Sequence, residues 1–296
     1  MNKKNKKPYS GLGTALITPF LPDGNIDYSS LARLIESQIA GGVDYLVVLG
    51  TTAESATLTP DERHAVSLFI RNQVAGRLPL VLGLGGNNTN QLVHDVQTTD
   101  LRGYCAILSV CPFYNKPSQE GLFRHFSALA LASPLPILLY NVPGRTGVNL
   151  LPETVMRIYN QHPDKIAGIK EASGNMEQIC RLIRLSNGQF SVISGDDALA
   201  FPLMQAGADG LISVASNAFP EDFGEIVHNR HGKAEALQTQ YTETIRLLFA
   251  EGNPCGIKTV LNLQGKISNT LRLPLVPNST LVQQAIADNL HALATC

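Results

Sequence analysis

Short apolar runs alternate with longer amphipathic stretches between residue 14 and about residue 232, and this alternation restricts the possible fold more than any other feature. Most runs end in Gly, Asn, Ser or Thr, as strands that lead into turns do. Such repetition predicts strand–helix units in which helices cover a parallel sheet. The predicted strands are Thr14–Thr18, Tyr45–Leu49, Leu80–Leu84, Ala106–Val110, Ile137–Tyr140, Ile166–Lys170, Ser191–Ser194 and Gly210–Ser213.

Helical patterns with recognisable start signals lie between these runs. Asp27 and Thr59 offer side-chain oxygens that suit an N-cap, and Pro60 suits the first position of a helix. The predicted helices are Tyr28–Ala40, Pro60 to Val74, a helix from Ser118 to about Ala132, Glu153–Tyr159, Met176–Leu185, Asp197–Ala206 and Pro220–Asn229.

Eight strands that alternate with helices predict a closed (β/α)8 TIM barrel over residues 11–232. An open doubly wound sheet is disfavoured because Gly83–Asn88 lacks the third glycine of the dinucleotide fingerprint. Residues 233–296 show only helical patterns, and we expect a helical appendage that packs on the barrel or on a neighbouring subunit. Its predicted helices are Lys233–Ala250, Pro254–Leu263 and Ser279–Ala294. Residues 1–10 are predicted to be a basic, flexible tail.

Charged residues make up only 16% of the chain, and the formal net charge is −1. This composition argues against a disordered chain and against a nucleic-acid binder held by phosphate contacts. Scarce charge also favours subunit contacts. No apolar run reaches the roughly 18 residues of a membrane span, and no signal peptide follows the basic tail, so we expect a cytoplasmic protein without membrane contact.

Few residues indicate a metal or disulfide site. The five cysteines are scattered without a C-x-x-C motif, which predicts reduced thiols and no zinc site. His228 and His231 could share a helix face, but no third ligand is near them in sequence. G-x-S-x-G and Walker motifs are absent from the sequence, which argues against serine hydrolases and P-loop enzymes.

Barrel enzymes carry their catalytic groups at the carboxyl ends of strands, where Lys170 closes the sixth run. Partial desolvation there lowers the pKa of an amine and makes it a nucleophile toward a carbonyl carbon. The alternative for Lys170 is an ion pair at the barrel mouth. Lys258 follows an apolar helical stretch, and we expect its amine to reach solvent along a packed helix.

Three other loops follow strand ends. Tyr140 could relay protons, and Arg145 could bind a carboxylate bidentately, although these residues alone favour a structural turn with a hydrogen-bonded tyrosine. The segment Gly50–Ser55 offers hydroxyl and amide groups to an anion or simply caps a helix. The aromatic loop Cys111–Pro117 suggests packing at an interface.

Four segments together resemble the signature motifs of the dihydrodipicolinate synthase family, and the likeness extends from about Gly11 to the C-terminal helices. The segments are Gly50–Ser55, Tyr140–Gly147, Gly168–Gly174 and Ser194–Asp197. The resemblance implies a pyruvate-dependent class I aldolase on a TIM barrel, usually a homotetramer, without metal or organic cofactor. It implies condensation of pyruvate with L-aspartate 4-semialdehyde in the diaminopimelate pathway of lysine biosynthesis.

The resemblance also implies roles for four catalytic residues. Lys170 matches the lysine that forms a Schiff base with pyruvate, and Tyr140 matches the tyrosine that shuttles protons beside it. Thr51 matches the threonine that links this tyrosine to a second one, here Tyr114. In the family that second tyrosine enters the site of the neighbouring subunit across the dimer interface.

Four further residues match substrate-binding positions of the family. Thr52 would hold the carboxylate of pyruvate, and Arg145 would bind the carboxylate of L-aspartate 4-semialdehyde. The backbones of Gly195 and Ile212 would line the pocket. Relatives such as N-acetylneuraminate lyase and 2-keto-3-deoxy-sugar aldolases handle sugar-derived aldehydes, for which a cation such as Arg145 is less suited. A non-catalytic pyruvate-binding barrel is a further alternative, disfavoured because all these residues are present.

The chain departs from the family pattern at several positions. Ala53 replaces a common glycine, which requires a negative φ at that residue. In lysine-regulated members a His, a Glu and a Tyr bind lysine, whereas Pro60 or Arg63, Gln91 and Phe113 stand here. Losing the carboxylate removes the partner of the lysine ammonium group. We therefore expect weak or absent inhibition by lysine.

Overall fold

The computed structural model describes residues 9–295, and within them eight strands close a barrel in sequence order. Neighbouring strands are parallel where their pairing is defined, for example β5 with β6 and β6 with β7. The predicted (β/α)8 class is therefore confirmed. The strands are β1 Gly11–Ala15, β2 Tyr45–Val48, β3 Leu80–Gly83, β4 Ala106–Val110, β5 Ile137–Asn141, β6 Ile166–Glu171, β7 Ser191–Ser194 and β8 Gly210–Ser213.

Thirteen α-helices are present in the same described residues, and short 3-10 turns cover Thr51–Ala53, Ser55–Thr57, Asp197–Leu199 and Ala215–Asn217. The predicted start of α2 is confirmed, because the Thr59 and Glu62 side chains form a reciprocal capping box. The helices are α1 Tyr28–Ala40, α2 Pro60–Val74, α3 Thr89–Thr98, α4 Gln119–Ala132, α5 Pro143–Thr146, α6 Pro152–Gln161, α7 Met176–Ser186, α8 Ala200–Gln205, α9 Pro220–His228, α10 Ala234–Gln240, α11 Thr242–Phe249, α12 Cys255–Leu263 and α13 Thr280–Ala294.

Strand β1 begins earlier than the predicted Thr14–Thr18, because the glycines at its start pack closely instead of forming a turn. A Cβ on Gly13 would lie 2.3 Å from the ring of Tyr45 in β2, so only glycine allows this approach. The amide of Leu12 also donates to the Asp44 carboxylate at 2.7 Å. Gly11 and Gly13, which flank Leu12, interrupt the apolar pattern, and this part of the strand was therefore not predicted.

Some helical segments differ from the predictions, and the predicted helix Asp197–Ala206 is a 3-10 turn, Asp197–Leu199, followed by α8. Helix α3 was not predicted, because Leu92 and Val96 are its only buried residues, although Asn88 caps its first turn. The predicted helix Lys233–Ala250 is divided at Tyr241 into α10 and α11. The hydroxyl of Tyr241 donates to Asp222 of α9 at 2.5 Å, and this buried anchor interrupts the helix.

The described chain forms two compact units. The first contains Pro79–Ile212 and the described residues up to Gly11, and the second contains Leu12–Leu78 and the chain from Ser213 onward. These units do not test the predicted division into a barrel (11–232) and a helical region (233–296), which stays a prediction. Of the predicted tail, residues 1–8 lie outside the described residues. No helix of the described chain combines the length and apolarity needed to cross a membrane.

The first unit has an apolar core formed by strand residues and by helices α3, α4, α6 and α7. Ile169 of β6 belongs to this core and is fully buried, as are Leu139 of β5 and Phe126 of α4. Alternation along a strand turns the next residue to the opposite face. Tyr140 and Lys170 therefore lie on the face opposite Leu139 and Ile169.

Candidate active site

Lys170 and Tyr140 pair directly across β5 and β6, near the carboxyl ends of both strands. The Nζ of Lys170 lies 4.4 Å from the centroid of the Tyr140 ring, and both side chains are buried. Within residues 9–295 no carboxylate forms an ion pair with Lys170. The alternative of an ion pair at the barrel mouth is therefore not what the structure shows. A buried amine beside a phenol can act as nucleophile and proton acceptor in one place.

Gly195, which follows β7, lies against the side chain of Lys170. A Cβ at Gly195 would be 2.7 Å from Cε of Lys170 and 2.9 Å from Cβ of Ala172. The amide of Gly195 donates to the carbonyl of Glu171 at 2.8 Å, which fixes the loop there. Glycine thus leaves the volume that the lysine side chain occupies. Ile212 of β8 is 1% exposed and lies in the same unit.

A polar network lies behind Lys170, on the opposite face of the strands. Glu171 is fully buried and accepts hydrogen bonds from Asn141 Nδ2 at 3.0 Å, from the Ser173 amide at 2.7 Å and from Gln178 Nε2 at 3.2 Å. Burial raises the pKa of Glu171, while these donors act in the opposite direction. Sequence reasoning missed this network. The network ties the ends of β5 and β6 to helix α7.

Tyr114, in the loop after β4, and Arg145, in the short helix after β5, lie in the same unit. The amide of Tyr114 donates to the carbonyl of Thr146 at 3.4 Å, and the side chain of Lys116 packs near Gly147. Arg145 is exposed in the short helix α5, which the sequence predicted as a loop. Tyr114 is 90% exposed and has a φ of 75°.

Thr51 and Thr52 lie in the second unit, in a 3-10 turn directly after β2. Thr52 is buried, and its Oγ1 accepts a hydrogen bond from Asn253 Nδ2 at 3.0 Å. Thr51 supplies the carbonyl that accepts the amide of Glu54 at 3.1 Å. Ala53 belongs to the turn, whose conformation has negative φ, so the departure from glycine fits. Asn253 is a polar neighbour of Thr52 that the sequence analysis did not single out.

Lys258 differs from its prediction, because its amine does not reach solvent. The side chain is fully buried, and Nζ lies 2.5 Å from Oε1 of Glu54, which is also fully buried. The prediction of an amine extending along a packed helix was therefore wrong. Glu54 lies about two hundred residues away in sequence, so no local pattern could have revealed its partner.

No group of three metal-binding side chains occurs in the described part of the chain. His228 instead contacts Asp44 through Nε2 at 2.7 Å. The described cysteines are free thiols: Cys105, Cys111, Cys180 and Cys255.

Comparisons with known proteins agree with this architecture. A sequence model of the Dihydrodipicolinate synthetase family matches residues 8–293. A protein of Parabacteroides distasonis named 4-hydroxy-tetrahydrodipicolinate synthase is 48% identical over 288 residues, covering 96% of this chain and 97% of that protein.

Solved structures give the same result. Dihydrodipicolinate synthase from Thermotoga maritima superposes with a TM-score of 0.93 at 39% identity, covering 97% of this chain and 99% of that one. A chain described as the first monomeric dihydrodipicolinate synthase variant has the same TM-score and identity, covering 97% and 98%. An eight-stranded barrel with a buried lysine ending its sixth strand defines a (β/α)8 barrel enzyme. The chain belongs to the dihydrodipicolinate synthetase family.

Proposed function

We propose that this chain is a lyase that catalyses the 4-hydroxy-tetrahydrodipicolinate synthase reaction, the condensation of pyruvate with L-aspartate 4-semialdehyde. The observation that carries the proposal is the buried amine of Lys170 at the end of β6, 4.4 Å from the Tyr140 ring centroid. The 48% identity to a protein of that name supports this particular reaction over other aldolases of the fold. The reaction supplies lysine and diaminopimelate biosynthesis.

Lys170 provides the nucleophile in this proposal. Its neutral amine attacks the keto carbon of pyruvate, and loss of water gives a protonated imine. This cation withdraws electrons from the pyruvate methyl group, which loses a proton and forms an enamine. The enamine carbon then attacks the aldehyde carbon of the second substrate. Hydrolysis or cyclisation releases the product and restores the Lys170 amine.

Tyr140 moves the protons of these steps in the proposed mechanism, because its side chain is buried against the reacting amine. Thr51 links Tyr140 to Tyr114 in a relay, as the family resemblance implies. Tyr114 is the member that enters from a neighbouring subunit. Its 90% exposure in a single chain supports a partner subunit as its environment.

Substrate binding is assigned to four other residues. Thr52 holds the pyruvate carboxylate through a hydroxyl that already accepts a hydrogen bond from Asn253, which leaves its own proton to donate. Arg145 binds the carboxylate of L-aspartate 4-semialdehyde, for which an exposed guanidinium in the short helix after β5 is suited. Gly195 and Ile212 line the pocket with backbone atoms.

We place the enzyme in the cytoplasm as a homotetramer that uses no metal or organic cofactor. Exposed aromatic side chains in the Cys111–Pro117 loop support contact between subunits at this edge, since Phe113 is 41% exposed beside Tyr114. Sedimentation equilibrium of the purified chain tests the assembly. A monomer at micromolar concentration contradicts it.

Reductive trapping tests the function. The wild-type chain is incubated with pyruvate and sodium borohydride, and the intact mass and digested peptides are measured. We expect one pyruvate adduct on Lys170 and none in the Lys170→Ala variant, with Lys165→Ala as the matched control. Absence of an adduct contradicts the proposal. An adduct without turnover of L-aspartate 4-semialdehyde instead indicates an aldolase for another aldehyde, such as N-acetylneuraminate lyase.

A further inference from the structure

The turn that carries Thr51 and Thr52 ends in a residue with an unfavourable backbone conformation. Glu54 has φ 53° and ψ 35°, the left-handed region, which is unfavourable for a residue that carries a Cβ. Its amide closes the turn by donating to the Thr51 carbonyl at 3.1 Å. Such a conformation persists only where the surroundings hold it in place.

The side chain of Glu54 is held through both carboxylate oxygens. Oε1 lies 2.5 Å from Nζ of Lys258 in α12, and Oε2 accepts the Arg272 amide at 3.0 Å. Both charged side chains are fully shielded from solvent. Separating the two side chains would leave a buried charge without its partner, which is strongly unfavourable. The pair therefore holds Glu54 and Lys258 together.

Lys258 is fixed independently of Glu54. Its Nζ donates to the carbonyl of Thr270 at 3.0 Å and lies 4.1 Å from the centroid of the Phe20 ring. Burial lowers the pKa of Lys258, and the carboxylate of Glu54 acts in the opposite direction by favouring the charged amine. The Thr270 carbonyl and the Phe20 ring therefore hold the Lys258 amine in place beside Glu54.

The segment at the start of α12 also contacts the turn at Thr52. Asn253, just before α12, donates from Nδ2 to Thr52 Oγ1 at 3.0 Å. Asn253 and Lys258 therefore fix the Thr51–Ala53 turn from two sides.

We propose that the buried Glu54–Lys258 pair is a positioning device for the Thr51–Ala53 turn and neutralises the Glu54 charge two residues from Thr52. The inference rests on the proposed function in one respect, namely that Thr52 binds the pyruvate carboxylate. An unpaired Glu54 carboxylate near an anionic substrate repels it, and a relaxed turn misplaces the Thr52 hydroxyl. The pair is therefore expected to affect the KM for pyruvate more strongly than kcat.

The test compares Lys258→Met, Glu54→Gln and the double variant with the wild-type chain. We expect Lys258→Met to raise the pyruvate KM about tenfold or more, equivalent to about 1.4 kcal/mol, with kcat within about threefold. The double variant has no unpaired charge, so its KM returns toward the wild-type value. Lys233→Met, at an exposed lysine before α10, is the matched control and leaves KM unchanged.

Hydrogen exchange gives a readout that does not depend on catalysis. In Lys258→Met the peptide spanning residues 51–57 exchanges faster, because the Glu54 amide loses its fixed acceptor geometry, and the double variant slows it again. Unchanged exchange and KM in Lys258→Met overturn the inference, as does a double variant no better than the single one. If Lys258→Met does not fold, the double variant is compared with the wild-type chain instead. A double variant that folds and has a KM near the wild-type value supports the inference, and one that does not fold contradicts it.

Failure of the proposed function is distinguishable from failure of this inference. A wild-type chain that forms no pyruvate adduct contradicts the proposed function alone. The hydrogen-exchange rates of residues 51–57 in the three variants test, independently of activity, whether the Glu54–Lys258 pair holds the turn. An active wild-type enzyme with unaltered turn exchange contradicts only the positioning role.

Discussion

Tyr140 and Lys170 are directly paired residues of adjacent parallel strands, and the lysine Nζ lies 4.4 Å from the tyrosine ring centroid. Strand pairing, not a loop, therefore sets the distance between the amine and the phenol. A site built on paired strands keeps its geometry when surface loops move.

Tyr140→Phe is expected to lower kcat on the order of a hundredfold or more, the usual contribution of a positioned proton-transfer group. The phenyl ring keeps the packing against Lys170, so the melting temperature stays close to that of the wild type. Steady-state rates and thermal melts measure both effects. Tyr159→Phe is the control, since the Tyr159 ring centroid lies 4.9 Å from that of Phe190, away from Lys170. A Tyr140→Phe enzyme with wild-type kcat contradicts the role.

Gly195→Ala is expected to displace Lys170 without unfolding the barrel. The new Cβ would come 2.7 Å from Cε of Lys170, the far end of a flexible side chain, which moves more easily than backbone. The yield of the borohydride-trapped pyruvate adduct then falls about tenfold or more, which corresponds to a loss of about 1.4 kcal/mol in the stability of the adduct. Gly224→Ala in α9, where no atom lies within 4 Å, is the control and retains trapping. A Gly195→Ala enzyme that forms the pyruvate adduct in wild-type yield contradicts the close packing of Gly195 against Lys170.

Arg145→Met separates the two substrates. We expect the KM for L-aspartate 4-semialdehyde to rise about tenfold or more, because a charge-assisted hydrogen bond contributes about 1.5–3 kcal/mol. Pyruvate trapping on Lys170 remains at the wild-type level. Arg124→Met removes an exposed arginine that pairs with Glu120 and serves as the control. Loss of pyruvate trapping instead would assign Arg145 to the other carboxylate.

His125 makes stability depend on pH. The ring is buried in α4, its Nδ1 is 2.9 Å from Thr89 Oγ1, and burial lowers the pKa from 6.5 to about 4. The unfolded chain takes up this proton near pH 6.5 and the folded chain only near pH 4. Stability is therefore complete above pH 6.5 and falls as pH drops toward 4, by about 3 kcal/mol at most.

Urea unfolding of His125→Gln between pH 4 and pH 7 checks this contribution. We expect a flatter pH dependence of the unfolding free energy than in the wild type. His94→Gln, at an exposed position of α3, keeps the wild-type slope. Identical slopes in wild type and His125→Gln exclude His125 as the source.

Inhibition by L-lysine is expected to be weak or absent. Gln91 supplies an amide where lysine-regulated relatives have a carboxylate, and its Nε2 donates to Asp95 of the same helix at 2.7 Å. Phe113 offers no hydroxyl. Initial rates at subsaturating pyruvate with increasing L-lysine measure this, with D-lysine as the control. Half-inhibition by L-lysine at micromolar concentration contradicts the expectation.

The strand pattern predicted most of the fold because buried parallel strands are continuous apolar runs. Three strands have the predicted bounds, namely Ala106–Val110, Ser191–Ser194 and Gly210–Ser213. The pattern failed where packing uses glycine, as at Gly13, and where a helix carries few apolar residues, as in α3. In both places the stabilising contacts come from other elements, so the local sequence holds little signal.

Lys170 and Tyr140 could be singled out from the sequence, because the carboxyl end of a barrel strand is where such residues act. The sequence by itself also determined the (β/α)8 class, since periodicity and strand length are local properties. Only the tertiary structure decided that Gly195 makes room for Lys170 and that Lys258 is buried against Glu54. Those contacts join residues far apart in the chain, and their energies depend on burial and charge that appear only on folding.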